Sequence, residues 1–331
     1  MTKRPPFALL LAGLGLLVVL LFLASLAVGP SDLPPARAFA ALFADDGAAT
    51  LVMREIRLPR AILAVAVGAT LGLSGALLQG WLRNPLADTG VLGIGSGAAL
   101  GAVVVIVSGL AGTAPFALPV AALLGAGTAA LVVTMVAGRH AAGETLILAG
   151  VAVSSLTAAL TTLVLNLSPN PFATHEIVFW MLGSLADRSL VHVALALPFM
   201  ALGWIAAARL GRDLDLLTLG GETAASMGVD LGRVRWLALF STAASVGAAT
   251  AVSGVIGFVG LVVPHLLRPA VGSRPSRLLA ASALGGAALL SSADLAVRIV
   301  LPHRDLKLGV VTALIGAPFF FRLLLARRRG A

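Results

Sequence analysis

The chain has 331 residues, 59% hydrophobic and 11% charged, where an ordinary soluble domain carries about 25% charged residues. That balance excludes a soluble globular enzyme, and the absence of cysteine excludes a disulfide framework and a thiolate metal site. The formal charge of +9 does not point to nucleic acid, because the basic residues sit between apolar stretches, where they report orientation in a membrane.

A spanning helix needs roughly 20 apolar residues. Stretches of about that length predict spans at 7–28, 61–81, 91–109, 118–137, 145–167, 191–208, 236–253, 255–267, 278–300 and 309–325. The expected fold is all-α: a polytopic membrane protein of about ten transmembrane helices, some short or broken, forming a single domain over residues 1–331. The first stretch follows Lys3-Arg4 but is too long for a signal h-region, and further spans follow it. Basic residues at both ends, Lys3-Arg4 and Arg327-Arg328-Arg329, place both termini in the cytoplasm and require an even number of spans. With ten spans, fifteen of the twenty-three Lys and Arg fall inside, and eight outside: Arg37, Arg54, Arg57, Arg60, Arg188, Arg298, Arg304 and Lys307. The outer cluster has two readings, anchoring to lipid headgroups or docking of an acidic partner.

Small residues recur at helix-packing spacings at Gly68, Gly72 and Ala76, at Gly93, Gly97 and Gly101, and at Gly254, Gly257 and Gly260. The last set precedes Pro264 in a span barely long enough to cross, which predicts a broken or re-entrant helix there. The acids lie in loops or near span ends, with Asp294 the one closest to burial; it stands one helical turn before Arg298 and can pair with it. A proton-coupled carrier ordinarily needs a titratable group near the midplane. The five His are too scattered for a metal pair on one helix, so neither a metal nor a cofactor is expected. Neither lysine, Lys3 or Lys307, follows a Gly-rich phosphate loop, so no ATPase motif is present and the chain is not read as an enzyme. The connection from Arg209 to Arg235 contains Gly220 to Gly228, a short Ala-rich helix bounded by glycines, which reads either as a grip for a partner or as a plain connector.

These motifs resemble one family, the permease subunits of ATP-binding-cassette importers for iron chelates, haem and cobalamin. The resemblance rests on Arg57-Leu58-Pro59-Arg60, Ser74-Gly75-Ala76 with Gln79, Arg83-Asn84-Pro85-Leu86-Ala87, Leu92-Gly93 with Gly97-Ala98, Trp180 with Gly183, and the Gly220 to Gly228 helix. It continues through Gly254 to Leu261 with Pro264-His265 and Arg268, Asp294 with Arg298, and Gly316-Ala317-Pro318-Phe319. It implies a bacterial cytoplasmic-membrane permease that pairs with a second permease subunit, a homodimer, and works with two ATPase subunits and an external substrate-binding protein. By resemblance, Arg57, Arg60 and Arg298 meet acidic residues of the binding protein. The helix from Gly221 through Glu222 and Ala225 to Gly228 couples to the ATPase, and Asn84 and Leu86 belong to the cytoplasmic gate. The implied cargo is a ferric siderophore or haem, with cobalamin the alternative. Lys307 in Asp305-Leu306-Lys307-Leu308-Gly309 and Thr89 depart from the family pattern, Lys307 by adding a positive charge to an outer loop. A secondary transporter, a channel or a membrane scaffold are the alternatives of other classes.

Overall fold

A computed structural model describes residues 6–29, 33–114, 116–138, 143–169, 171–300 and 306–328. The sequence expectations at Lys3, Arg4, Asp32, Arg139, His140, His303, Arg304, Asp305 and Arg329 therefore lie outside the described residues. Within them the secondary structure is helical, with no strand.

The chain order is α1 (Phe7–Ala27), α2 (Pro35–Ala41), α3 (Ala48–Leu51), a π-helical segment (Val52–Arg57), α4 (Leu58–Trp81), α5 (Ile94–Val107), α6 (Leu110–Thr113), α7 (Ala117–Ala137) and α8 (Gly143–Asn166). It continues with α9 (Pro171–Met181), α10 (Leu190–Ala208), α11 (Gly211–Leu217), α12 (Gly221–Ser226), α13 (Leu231–Ser253), α14 (Val259–Leu267), α15 (Pro275–Val300) and α16 (Leu308–Arg328). Seven helical stretches are long and apolar enough to cross a membrane: α1, Ala48–Trp81, α7, α8, α10, α13 and α15. The shorter apolar helices α5 and α16 and the nine-residue α14 occupy the remaining three of the ten expected spans.

The bundle is organised around α4, α13 and α15, the most deeply buried of the long helices. Small residues let these backbones touch. A Cβ on Gly68 would lie 2.4 Å from the Gly286 carbonyl, and one on Gly72 would lie 2.0 Å from that of Ser282, so α4 and α15 cross in direct backbone contact. Gly75 meets Gly260 of α14 in the same way, and Gly97 and Gly101 of α5 meet Gly125 and Ala121 of α7. Gly257 differs: a side chain there would meet nothing within 4 Å, so close packing does not explain its spacing. By contrast α1 buries only Ser25 and Leu26, and its uniformly apolar surface suits contact with lipid.

The expected broken span is present. At a rise of about 1.5 Å per residue, α14 covers only about 14 Å of a hydrocarbon layer about 30 Å thick. Residues 254–258 ahead of it are not helical. Irregular backbone at such depth must be satisfied by protein. Accordingly the Ser253 carbonyl accepts from the Ser184 N–H at 2.7 Å, the Ser253 hydroxyl donates to the Gly254 carbonyl at 3.1 Å, and Gly254 approaches the Trp180 carbonyl closely.

Candidate functional sites at the two ends of the bundle

The first site gathers around Arg57, Arg60 and Arg298. Pro59 has no N–H to give to the carbonyl one turn back, and the six residues before α4 widen into a π-helix, with the Leu58 N–H bonding back to the Met53 carbonyl. This local rewinding turns Arg57 inward and leaves Arg54 and Glu55 exposed. Arg57 is only 3% exposed and Arg298 only 8%. Arg57 Nη1 donates to the carbonyls of Leu26 at 2.9 Å and Ala27 at 3.0 Å. Arg298 Nη1 donates to those of Ser25 and Val28, both at 3.0 Å, and its Nη2 donates to the Ser25 hydroxyl. The two guanidinium groups thus bind the last turn of α1, whose terminal carbonyls have no helical partners and carry the negative end of the helix dipole.

Asp294 stands at the centre of this cluster with no exposure. The pair with Arg298 expected from the four-residue spacing is formed at 2.9 Å. The second pair was invisible in the sequence: Arg60 lies 2.8 Å from Asp294 by its Nη2 and 2.9 Å by its Nε. With its side chain 18% exposed, Arg60 is the most open of the three arginines assigned to docking. Arg57 and Arg298 are thus buried, and a partner that meets them from outside reaches Arg60 first.

The other described basic residues predicted on this side also have internal partners. Arg37 pairs with Asp46 at 2.6 Å, Arg54 donates to the Leu42 carbonyl at 3.0 Å, and Arg188 donates to the Val252 carbonyl at 2.6 Å. Lys307 lies 5.5 Å from the centre of the Phe179 ring. The Arg37 hydrogen bond holds the Asp46 carboxyl below its ordinary range, and Asp46 raises the Arg37 pKa in turn. Burial lowers the Arg188 pKa, with the Asp187 charge acting in opposition.

The second site lies at the opposite end of α4. The loop 82–93 is held by Asn84, whose carboxamide oxygen accepts from the Leu86 N–H at 2.9 Å and whose carbonyl accepts from the Ala87 N–H at 3.1 Å. Asn84 thereby shapes the turn, and it and Leu86 are half-buried. Asp88 in the same loop, which the sequence reading left unremarked, packs against Gly260 of α14. Burial pushes its carboxyl above the usual range, while hydrogen bonds from Thr89 favour the ionised form. Nearby, buried Gln79 donates to the Gly260 carbonyl at 3.2 Å and accepts from Arg268 Nη2 at 2.5 Å, fastening α14 to α4.

At this end α11 is pinned to the start of α15, because Asp215 accepts from both the N–H and the hydroxyl of Ser276 at 2.9 and 2.7 Å. The following α12 is anchored only through Ala224, which is wholly buried among apolar residues of the bundle. Its N-terminal boundary is Gly220 at φ +111° and its exit Gly228 at φ +89°, a backbone conformation that favours glycine. Glu222, Ala225 and Gly228 are exposed and Gly221 half-buried. Met227, absent from the residues assigned to coupling, is 52% exposed between them and adds an apolar contact surface. The glycines at its two ends were the sequence signal that marked α12.

An all-helical bundle with a broken inner helix, one end clasped by arginines and the other presenting a short exposed helix defines a polytopic permease. The FecCD transport family model matches residues 16–326, and the chain belongs to that family. It is 40% identical over 288 residues to a hemin transport system permease of Yersinia pestis, covering 83% of each chain. It is 39% identical over 317 residues to a vitamin B12 import system permease of Vibrio cholerae, covering 95% of this chain and 92% of that one. A solved inward-facing structure of a metal-chelate type ABC transporter superposes with a TM-score of 0.85 at 32% identity, covering 96% and 98% of the two chains. The protein is a membrane permease subunit of an ATP-binding-cassette importer.

Proposed function

We propose that this permease carries a large metal chelate, a ferric siderophore or haem, from the outer side of a bacterial cytoplasmic membrane to the cytoplasm. Cobalamin is the second reading, favoured by the 39% identity to a vitamin B12 permease. Energy comes from ATP hydrolysed on separate subunits, and the pathway forms between this chain and a second copy of it. The observation that carries this reading is the pairing of family membership over residues 16–326 with a glycine-bounded helix most of whose residues are exposed.

On this reading the whole chain acts as one membrane domain with both termini in the cytoplasm. Gly221, Glu222, Ala225 and Gly228 of the α12 segment fit a cleft of the ATPase, and Asn84 and Leu86 shape the cytoplasmic gate. The Arg57, Arg60 and Arg298 cluster receives acidic residues of a substrate-binding protein. The partly open guanidinium of Arg60 supports that assignment, because charge complementarity at a docking surface sets register and encounter rate.

The test is purification of tagged protein from native membranes in mild detergent. An ATPase subunit that co-elutes and hydrolyses ATP is the expected result, followed by uptake of ferric siderophore, haem or cobalamin into vesicles. If no ATPase is recovered under conditions that preserve related complexes, a secondary transporter replaces this reading.

A further inference from the structure

Six side chains line an open cavity of about 400 Å³ beside the start of α4: Leu42, Phe43, Arg54, Glu55, Leu58 and Leu190. Two helices set its height. From Leu58 to Trp81, α4 has 24 residues. It is about 36 Å long, more than the hydrocarbon layer of about 30 Å, so Leu58 stands at the edge of that layer and Arg54 and Glu55 beyond it. Leu190 opens α10, whose 19 residues cover about 28 Å of the same layer. The cavity therefore sits where headgroups meet acyl chains, at the end of the bundle away from α12.

Four of its six lining residues are apolar. Leu190 also heads an apolar stripe: Leu190, Ala194, Pro198, Leu202 and Ile205 share one face of α10 and are all exposed, while Val193, Ala196 and Met200 are buried on the other. An acyl chain that starts in the cavity thus has a continuous apolar track along the helix.

The two charges in the cavity are of opposite sign. Arg54 Nε donates to the Leu42 carbonyl at 3.0 Å, which holds the guanidinium and leaves its two Nη groups to other partners. Among the described residues neither Arg54 nor Glu55 forms an ion pair. A guanidinium matches a phosphate through parallel hydrogen bonds, and a carboxylate is matched by an ammonium with N–H groups to donate. An anionic headgroup or an acidic protein side chain would suit Arg54 but repel Glu55. Phosphatidylethanolamine carries phosphate and primary ammonium on one ethylene link, whereas a choline headgroup has both charges and no N–H.

We propose that this cavity is a binding site for phosphatidylethanolamine, with the phosphate on Arg54, the ammonium on Glu55 and an acyl chain along α10. The site uses none of the residues assigned to docking, coupling or the gate, and stands independently of those assignments.

The chain has no cysteine, so Val191→Cys, 55% exposed next to the cavity, takes a single bimane label. Its quenching is measured in phosphatidylcholine nanodiscs that contain a small, equal fraction of brominated-chain phosphatidylethanolamine, phosphatidylcholine or phosphatidylglycerol. Brominated phosphatidylethanolamine is expected to quench about threefold more than the other two. Arg54→Gln/Glu55→Gln should bring it to the phosphatidylcholine level, and Glu55→Lys should make phosphatidylglycerol the strongest quencher. Equal quenching by the three lipids makes this an ordinary boundary position and overturns the proposal. So does a preference for phosphatidylglycerol with the cavity intact, or a phosphatidylethanolamine preference that survives either set of substitutions. No quenching by any of them means that protein, such as a second copy of the chain, covers the cavity, which overturns it too. Independently of any substitution, native mass spectrometry of the wild-type protein equilibrated with an equimolar mixture is expected to show phosphatidylethanolamine retained over the other two; equal retention counts against the site.

Discussion

The two ends of the bundle use charge in opposite ways. Around Asp294 the charged groups are buried and turned inward, onto each other and onto α1. Around α12 several point outward: Arg209, Arg212 and Glu222 are exposed, while Asp215 reaching Ser276 and Arg268 reaching Gln79 tie the neighbouring helices together. The first end is therefore part of what holds the helices together, and any partner there competes with internal bonds. At the second end the exposed Arg209, Arg212 and Glu222 stand open to a partner.

The contrast is broken or sharpened most strongly at Asp294. Asp294→Ala leaves Arg60 and Arg298 facing one another with no carboxylate between them, and a loss of about 3–5 kcal/mol is expected for an uncompensated buried charge. A large fall in the detergent melting midpoint checks it; a fall no greater than that of an exposed α12 variant would erase the distinction between the ends. Arg57→Ala is expected to cost about 2–3 kcal/mol, because it leaves the buried Leu26 and Ala27 carbonyls without their guanidinium donor. Amide exchange in residues 24–29 should rise in that variant with little change elsewhere.

At the other end, Gly228→Ala forces a side chain into a left-handed conformation and is expected to cost about 1–2 kcal/mol, confined to α12. Glu222→Ala is expected to shift stability by less than about 0.5 kcal/mol. In both, the assembled transporter should hydrolyse ATP without a matching rate of uptake; normal coupling would remove α12 from the ATPase contact. The smallest effect lies with Arg37 and Asp46. Because this pair holds the Asp46 pKa below its unfolded value, its contribution is complete at neutral pH and is lost only as pH falls through and below the ordinary carboxylate range. A nitroxide at Phe43→Cys, between the two, should gain mobility over that acid window, and Asp46→Asn should abolish the transition.

Much of this was legible in the sequence. Each of the ten expected spans corresponds to a helix, because runs of apolar residues report burial in lipid or protein with no reference to neighbours. The pairing of Asp294 with Arg298 followed from helical periodicity, and the break before α14 from its glycines and short length. Small-residue spacing announced close contacts without naming partners: Gly75 meets Gly260 and Gly68 meets Gly286, far away in the chain. The π-helical turn was not read, although Pro59 is a local cause.

By itself the amino-acid sequence determined that this is a helical membrane permease and where along the chain its apolar helices lie. Only the tertiary structure decided what the short motifs touch: that Arg60 shares Asp294 across 234 positions, and that Arg57 and Arg298 close on the end of α1. The reason is physical. Hydropathy and periodicity are properties of one segment, whereas the partner of a buried charge is whichever distant group the packing of the helices brings within about 3 Å.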